Sequence, residues 1–85
     1  MFSKKVVNLS IDDQFKVLKT KVYITHNHFK HKTGYIVSLR QWNKKYKYWG
    51  YFILLDEDFI TNNGKTSKYR MFKETEIKLI DVIKL

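Results

Sequence analysis

The sequence predicts an all-β fold, a small closed barrel made by one domain. Three observations favour it: five or six short strand-like runs separated by turn residues, no sustained 3.6-residue apolar periodicity, and fourteen aromatic residues among 85. A single sheet of five or six strands would leave one face and two edges bare, so closure into a barrel is the better solution. We expect one short 3-10 turn before the last strand.

Length and composition restrict the class further. A chain of 85 residues buries only roughly 60–65% of its unfolded surface, and without cysteine its core has no disulfide support. The first ten residues contain no long apolar run, which argues against a signal peptide or a membrane span and favours the reducing cytoplasm. We expect residues 1–14 to form an N-terminal strand or extension and residues 15–85 to form the barrel domain.

The first quarter of the chain has weak signals. Residues 3–9 are compatible with a short strand, and residues 10–14 with a turn or a single helical turn that the leading serine caps. Residues 15–18 and 22–25 are predicted to be extended. Residues 19–21 form either a continuation or a bend between them, and the sequence does not decide which.

A hairpin over residues 22–40 is the centre of the prediction. Two apolar runs flank a basic loop that ends at Gly34, and a glycine there indicates a tight turn or a bulge with positive φ. After it the side chains alternate, with Tyr35, Val37 and Leu39 on one face and Ile36, Ser38 and Arg40 on the other.

The next segment carries the strongest strand signal. Residues 42–45 predict a polar turn in which Asn43 takes a left-handed conformation. The aromatic and aliphatic run at residues 46–55 predicts the strand itself, with a bulge or bend at Gly50. The acidic residues 56–58 are expected to end it as a solvated loop.

The last third predicts a second hairpin and a closing strand. Asn63-Gly64, within residues 59–72, is typical of a type I′ turn. Residues 73–76 predict a polar turn, and residues 77–85 a final strand with Ile77, Leu79 and Ile83 on one face.

The segment Phe29-Lys-His-Lys-Thr-Gly34-Tyr-Ile-Val-Ser-Leu39 resembles the KOW motif of SH3-like barrels in ribosomal proteins and transcription elongation factors. Residues 52–56 and 69–81 are similar to the final strands of such barrels, so the likeness covers about residues 20–82. Asn27 and His31 stand where the family often has glycine. The resemblance implies an SH3-like barrel that binds RNA or protein within the translation or transcription machinery.

The charge of the chain is concentrated in its middle. The net charge is +9 at pH 7, and residues 14–53 contain nine bases and no acid, whereas the remaining eight bases are balanced by eight acids. Such a field attracts polyanions.

Cations interleaved with aromatic rings predict a nucleic-acid contact, to RNA or single-stranded DNA, mostly through the backbone. Lysines hold phosphates without reading sequence, and flat rings stack on unpaired bases. The alternative interpretation is that the lysines serve solubility and the rings form the core. The expected contact residues are Lys30, Lys32, Arg40, Trp42, Lys44, Lys45, Tyr46, Lys47 and Tyr48.

Other chemistry has little support in the sequence. The three histidines at positions 26, 28 and 31 have no nearby fourth ligand and many lysine neighbours, so we expect no metal and no cofactor. The acidic residues 56–58 do not match a calcium loop, and no serine or threonine lies in a nucleophile elbow. We therefore expect no enzymatic activity.

A different class of function is a protein-interaction module, as found among small lysine-rich proteins of phages or mobile elements that modulate a host protein. The aromatic strand at residues 46–55 would then be the docking edge. A domain inside a larger assembly such as the ribosome is a third option. In each case we expect a monomer or weak dimer without membrane contact.

Overall fold

Residues 4–80, which the computed structural model describes, form one curled antiparallel sheet with a short helix and a 3-10 turn. The helix α1 covers Ile11–Val17, and the 3-10 turn η1 covers Glu74–Glu76. The strands are β1 (Lys4–Lys5), β2 (Lys21–Ile24), β3 (Thr33–Ile36), β4 (Gln41–Asn43), β5 (Tyr48–Ile60), β6 (Thr66–Lys73) and β7 (Ile77–Leu79). The predicted all-β, barrel-like class and the 3-10 turn before the last strand are confirmed. The described residues form seven strands instead of the expected five or six, in a curled half-barrel sheet and not a closed barrel.

The strand β5 organises the sheet. The order is β1-β7-β2-β3-β5-β4, with β6 on the other side of β5. Along one side, β5 pairs first with β4 and then with β3, so that Trp49 faces Trp42 and Leu54 faces Tyr35. Since β5 has neighbours on both sides, it is not an edge strand. The hypothesis that residues 46–55 form a docking edge is therefore wrong.

The concave side of the sheet holds the apolar core. Alternation places every second side chain of β2, β3, β5 and β7 inward, and Val6, which follows β1, completes the set together with Val17 of α1 and Phe72 of β6. The predicted alternation after Gly34 is confirmed, since Ile36 is buried while Tyr35 and Val37 are exposed. The buried apolar residues are Val6, Val17, Val22, Ile24, Ile36, Tyr51, Ile53, Leu55, Phe72, Ile77 and Leu79.

The expected role of two glycines needs correction. Neither Gly34 nor Gly50 has positive φ; the residue that turns the β2–β3 loop is His31, at φ 68°. A Cβ on Gly34 would lie 2.5 Å from the Leu54 carbonyl oxygen, and one on Gly50 would overlap the Phe72 carbonyl. Both positions therefore exclude a side chain because neighbouring strands approach closely.

The prediction of extended chain at residues 15–18 is wrong, because α1 runs to Val17. The Ser10 hydroxyl accepts a hydrogen bond from the Asp13 N–H at 3.3 Å, and Asp12 and Asp13 lie in the first turn, where negative charge is favourable. Val17 is buried. A helix of seven residues is too short to show apolar periodicity. The chain bends after the helix at Lys19, at φ 66°. Of the two alternatives for residues 19–21, a continuation or a bend, the bend is therefore correct.

The end of β5 and the turn type of the second hairpin also differ from the prediction. Residues 56–58 do not end a strand: β5 continues to Ile60 and re-pairs with β6 after an irregularity between Leu54 and Phe59. The second hairpin is confirmed but its turn type is not, because only Gly64, at φ 78°, has positive φ in the turn, and its N–H donates to the Thr61 carbonyl. This is the three-residue loop with glycine in the left-handed position.

The chain ends are described only in part. The N-terminal strand is β1, which pairs with β7. In β7, Ile77 and Leu79 are buried on one face as predicted, whereas Ile83 lies outside the described residues. Neither helix of the described part is long and apolar enough to cross a membrane.

Candidate nucleic-acid interface

The β4–β5 hairpin positions most of the predicted contact residues. Residues 42–43 belong to β4, so the prediction of a turn over residues 42–45 is wrong; the turn covers residues 44–47. Lys47, at φ 56°, takes the left-handed conformation that was expected for Asn43. Its N–H donates to the Asn43 carbonyl at 2.7 Å, and the Asn43 side-chain oxygen accepts the Tyr46 N–H at 2.9 Å. Asn43 thus closes the turn through its side chain.

The turn presents free positive charge around an exposed ring. Tyr46 is 66% exposed, and the Lys45 ammonium lies 5.2 Å from the centre of its ring. Lys44, Lys45 and Lys47 are all exposed, and none of them pairs with an acid of residues 4–80. The three ammonium groups are therefore available to an anionic partner.

Elsewhere, folding brings acids to the cations of the acid-free stretch. Lys21 pairs with Asp56, Lys32 with Glu57 at 2.6 Å, and Arg40 with Glu74 at 2.8 Å. Lys16 contacts Asp13 within α1. Of the nine bases of residues 14–53, four are thus paired, and three of the other five lie in the β4–β5 turn.

Arg40 is held by the most buried of these pairs. Its Nε and Nη2 atoms donate to the two Glu74 oxygens at 2.9 and 2.8 Å, and the Asn8 N–H donates to the same carboxylate at 2.6 Å. Glu74 is only 8% exposed. Burial alone raises the pKa of the Glu74 carboxyl, but the bonds from Arg40 and Asn8 and the Arg40 charge outweigh burial, so the pKa lies below its ordinary value.

The predicted rings lie on two faces of the hairpin. Trp42 pairs with Trp49 across the ladder, their rings 5.4 Å apart, and the Arg40 guanidinium lies 4.2 Å from the Trp49 ring centre. Trp42 is 48% exposed. Tyr48 pairs with Asn43, one residue on, and so faces the opposite way. Tyr48 and Tyr46 line a cleft from which the tryptophans are absent.

That cleft, here called the turn cleft, has a volume of about 340 Å³. Besides the two tyrosines it is lined by His26, Arg70, Met71, Lys73 and Glu76. The Lys73 ammonium lies 5.8 Å from the Tyr48 ring centre. The cleft therefore leads from the turn along β6, with Arg70 and Lys73 as its cations and Glu76 as the acid in its lining.

A second and larger cleft, here called the hairpin cleft, adjoins the turn cleft at Arg70. It has a volume of about 650 Å³ and lies between the β2–β3 loop and the tip of the β5–β6 hairpin. Its walls are formed by His28, Phe29, Phe59, Ile60, Thr61 and Asn62, together with Tyr69 and Arg70. Arg70 lines both clefts.

The remaining predicted residues, Lys30 and Lys32, lie at the other end of β5 from the turn. They line a small concavity of about 200 Å³ together with Asp56 and Glu57. Tyr48 and Glu57 are nine positions apart on β5, a distance of up to about 30 Å along an extended strand. The β2–β3 loop and the β4–β5 turn thus provide separate groups of cations.

The histidines and the acidic segment take part in local contacts. The His26 Nδ1 accepts the His28 N–H at 3.1 Å, and its Nε2 lies 3.8 Å from Glu76. No set of three potential metal ligands comes together among residues 4–80. The Asp56 carboxylate also accepts the Thr33 hydroxyl at 2.5 Å, and the bonds from Lys21 and Thr33 lower its pKa. The acids of β5 therefore hold the β2–β3 hairpin.

Sequence reasoning missed Arg70, Lys73 and Trp49. The two β6 residues lie where acids and bases balance along the chain, so charge counting gives no signal for them. Trp49 was assigned to the strand without a contact role, although its register with Trp42 follows from the turn position. No family model matches the chain, and no curated protein or solved structure shows a significant similarity to it.

Proposed function

We propose that this chain binds single-stranded nucleic acid, RNA or DNA, at the β4–β5 turn, mainly through the phosphate backbone. The observation that carries the proposal is the turn itself, where three lysines without acidic partners among residues 4–80 surround the exposed ring of Tyr46. Unpaired ammonium groups gain from phosphate contacts by releasing counterions, and an exposed ring gains from stacking on an unpaired base.

The contacts divide by role. Lys44, Lys45 and Lys47 hold phosphates, while Tyr46 and Tyr48 stack on bases along the turn cleft. Lys73 continues the cationic path along β6. Arg40, which Glu74 neutralises, acts as a positioning residue that packs on Trp49. Lys30 provides a more distant contact for a longer strand, and Lys32, whose partner is Glu57, contributes less.

The arrangement of the strands supports the KOW-type, SH3-like resemblance as part of the proposal. The path β7-β2-β3-β5-β6, with β1 and β4 as additions and a 3-10 turn before β7, is the meander expected of such barrels. The left-handed His31 occupies a loop position where the family often has glycine. On this basis the chain would act within translation or transcription machinery, with sequence-independent recognition.

A salt titration tests the proposal. Fluorescence anisotropy with labelled 12-nucleotide oligouridylate and oligothymidylate is measured at ~50 and ~200 mM salt, with a duplex of equal length as control. Three neutralised phosphates predict a slope of about −2 for log K against log salt. Absence of binding at ~50 mM, or affinity that salt leaves unchanged, would contradict the proposal, and tighter binding of the duplex would contradict the single-strand preference.

A second candidate function, docking to a protein, is favoured by one observation. Tyr35, Leu54 and Tyr69 lie side by side on the outer face of β3, β5 and β6, and each is more than 40% exposed. Phe52 stacks on Tyr69 at 4.8 Å. Exposed aromatic and aliphatic side chains that lie next to one another are typical interface anchors. Capture of the same protein by the wild type after nuclease treatment, but not by Tyr69→Ser, supports docking.

A further inference from the structure

The Arg70 side chain combines rigid placement with a free charge. Its guanidinium carbon lies 4.6 Å from the centre of the Phe29 ring and 4.8 Å from that of Phe72. The two rings pack edge to face at 5.2 Å, and Phe72 is fully buried. A cation–π contact does not need the N–H donors of a guanidinium as hydrogen-bond donors, so they can still bind an anion.

No acid of residues 4–80 neutralises Arg70. Its guanidinium takes part in no ion pair and no side-chain hydrogen bond within the described part of the chain. Arg40, by contrast, has both oxygens of Glu74 as acceptors. A partly buried guanidinium held in place without an acceptor is preorganised for a ligand that presents two oxygens.

The hairpin cleft around Arg70 favours an anion with an apolar part. Its lining includes no aspartate or glutamate, and His28, Thr61 and Asn62 add polar groups. Phe59, Ile60 and Tyr69 form an apolar wall beside them. A volume of about 650 Å³ lies within the roughly 300–1,000 Å³ typical of sites for one small ligand.

We propose that the hairpin cleft binds one nucleotide unit of the single strand, with its phosphate on the Arg70 fork and its base against the wall of Phe59, Ile60 and Tyr69. The inference rests on the proposed function, because Arg70 also lines the turn cleft, together with Tyr46 of the β4–β5 turn. A nucleic-acid strand that binds the β4–β5 turn then runs along β6 and makes its last contacts in this cleft.

Variants of Arg70 distinguish the contribution of its paired N–H donors from that of its charge. Arg70→Lys keeps the charge but loses the paired donors, so its affinity for labelled 12-nucleotide oligouridylate should fall about tenfold while the salt slope stays unchanged. Arg70→Gln should also reduce the slope by about 0.7. Lys68→Gln is the matched control, since Lys68 lies on the same strand but outside the cleft, near Asp58, and should change affinity less than about threefold.

A second pair of variants leaves Arg70 and its rings intact. Asn62→Asp places a carboxylate in the cleft lining, and Asn63→Asp places the same charge one residue further in the same turn, outside the lining. Asn62→Asp should weaken binding at least about fivefold more than Asn63→Asp, because only the first repels a phosphate bound at Arg70. Equal effects of the two, or wild-type affinity for Arg70→Lys, would overturn the inference and leave the proposed function standing.

An NMR titration of the Arg70 Nε–H with uridine 5′-monophosphate, with uridine as control, tests the cleft without the strand. A shift with the monophosphate but not with uridine supports the cleft site, even if the oligonucleotide fails to bind, in which case the proposed function alone fails. No shift with either compound overturns the cleft site, as does a shift of equal size with an acidic glutamate peptide.

Discussion

The β2–β3 loop and the β4–β5 turn both present lysines from the acid-free middle of the sequence, but they differ in what folding brings to them. Around Lys32 the acids of β5 come close, with Glu57 at 2.6 Å. Around Lys44, Lys45 and Lys47 no acid of residues 4–80 comes within pairing distance. Positive charge along a chain therefore becomes a positive surface only where the fold keeps acids away.

The largest expected effect is on the free energy of unfolding and concerns the ion pair in which Glu74 neutralises Arg40. Glu74→Gln should lower the free energy of unfolding by about 3 kcal/mol, because it leaves a largely buried guanidinium without the negative charge that balances it. Urea unfolding measures the change. Glu57→Gln, which breaks the exposed pair with Lys32, is the control and should cost less than about 0.5 kcal/mol. Equal losses in the two variants would contradict the distinction between the pairs.

The next effect compares free and paired lysines directly. Lys44→Gln combined with Lys45→Gln should weaken oligonucleotide binding about 30-fold at ~50 mM salt, because two phosphate contacts are lost. Lys21→Gln combined with Lys32→Gln removes the same charge from residues paired with Asp56 and Glu57 and should weaken binding less than about threefold. A comparable loss in both double variants would mean that only net charge matters.

Lowering the pH should remove the stabilisation that the Arg40–Glu74 pair provides. The folded-state pKa of Glu74 is lowered, so the stabilisation is present above the ordinary glutamate pKa of about 4.3 and is lost as the pH falls through the lowered value. Thermal unfolding should give a steady Tm from pH 7 to about 5 and a Tm several degrees lower near pH 3. In Glu74→Gln this decline should be smaller, and an unchanged decline would assign the acid sensitivity to other carboxyls.

The smallest effect compares the two faces of the β4–β5 hairpin. Tyr46→Leu should reduce affinity about fivefold through lost stacking. Trp42→Leu should change it less than about twofold, because Trp42 faces away from the turn cleft. Fluorescence anisotropy with the same oligonucleotide measures both, and a larger loss for Trp42→Leu would move the interface to the opposite face.

Local signals made part of this fold predictable. Alternation at Tyr35 and Ile36 depends on neighbours in sequence, as does the glycine-bearing turn at Gly64, and both were correctly located. The helix α1 is too short for periodicity to reveal. The continuation of β5 through Asp56–Asp58 depends on pairing with β6, which acidic composition does not show. Gly34 is required by the approach of Leu54, a contact that local propensity cannot indicate.

The candidate site was predictable to a similar degree. The lysines of the turn could be predicted as contact residues because they adjoin an aromatic residue in the sequence. The ion pairs that neutralise Lys21, Lys32 and Arg40 join residues 25 to 35 positions apart. Composition alone therefore cannot predict that these three cations are not available to a partner. Arg70 lacks a sequence signal because its ring partner Phe29 lies in a distant loop.

Backbone NMR mapping with an oligothymidylate of eight nucleotides at ~50 mM salt shows which of the two groups of lysines contacts the nucleic acid. We expect the largest amide shifts at residues 44–48, with smaller ones along β6 towards Arg70 and almost none at Lys21 and Lys32. Shifts centred on Lys21 and Lys32, or shifts spread evenly over all lysines, would contradict this expectation.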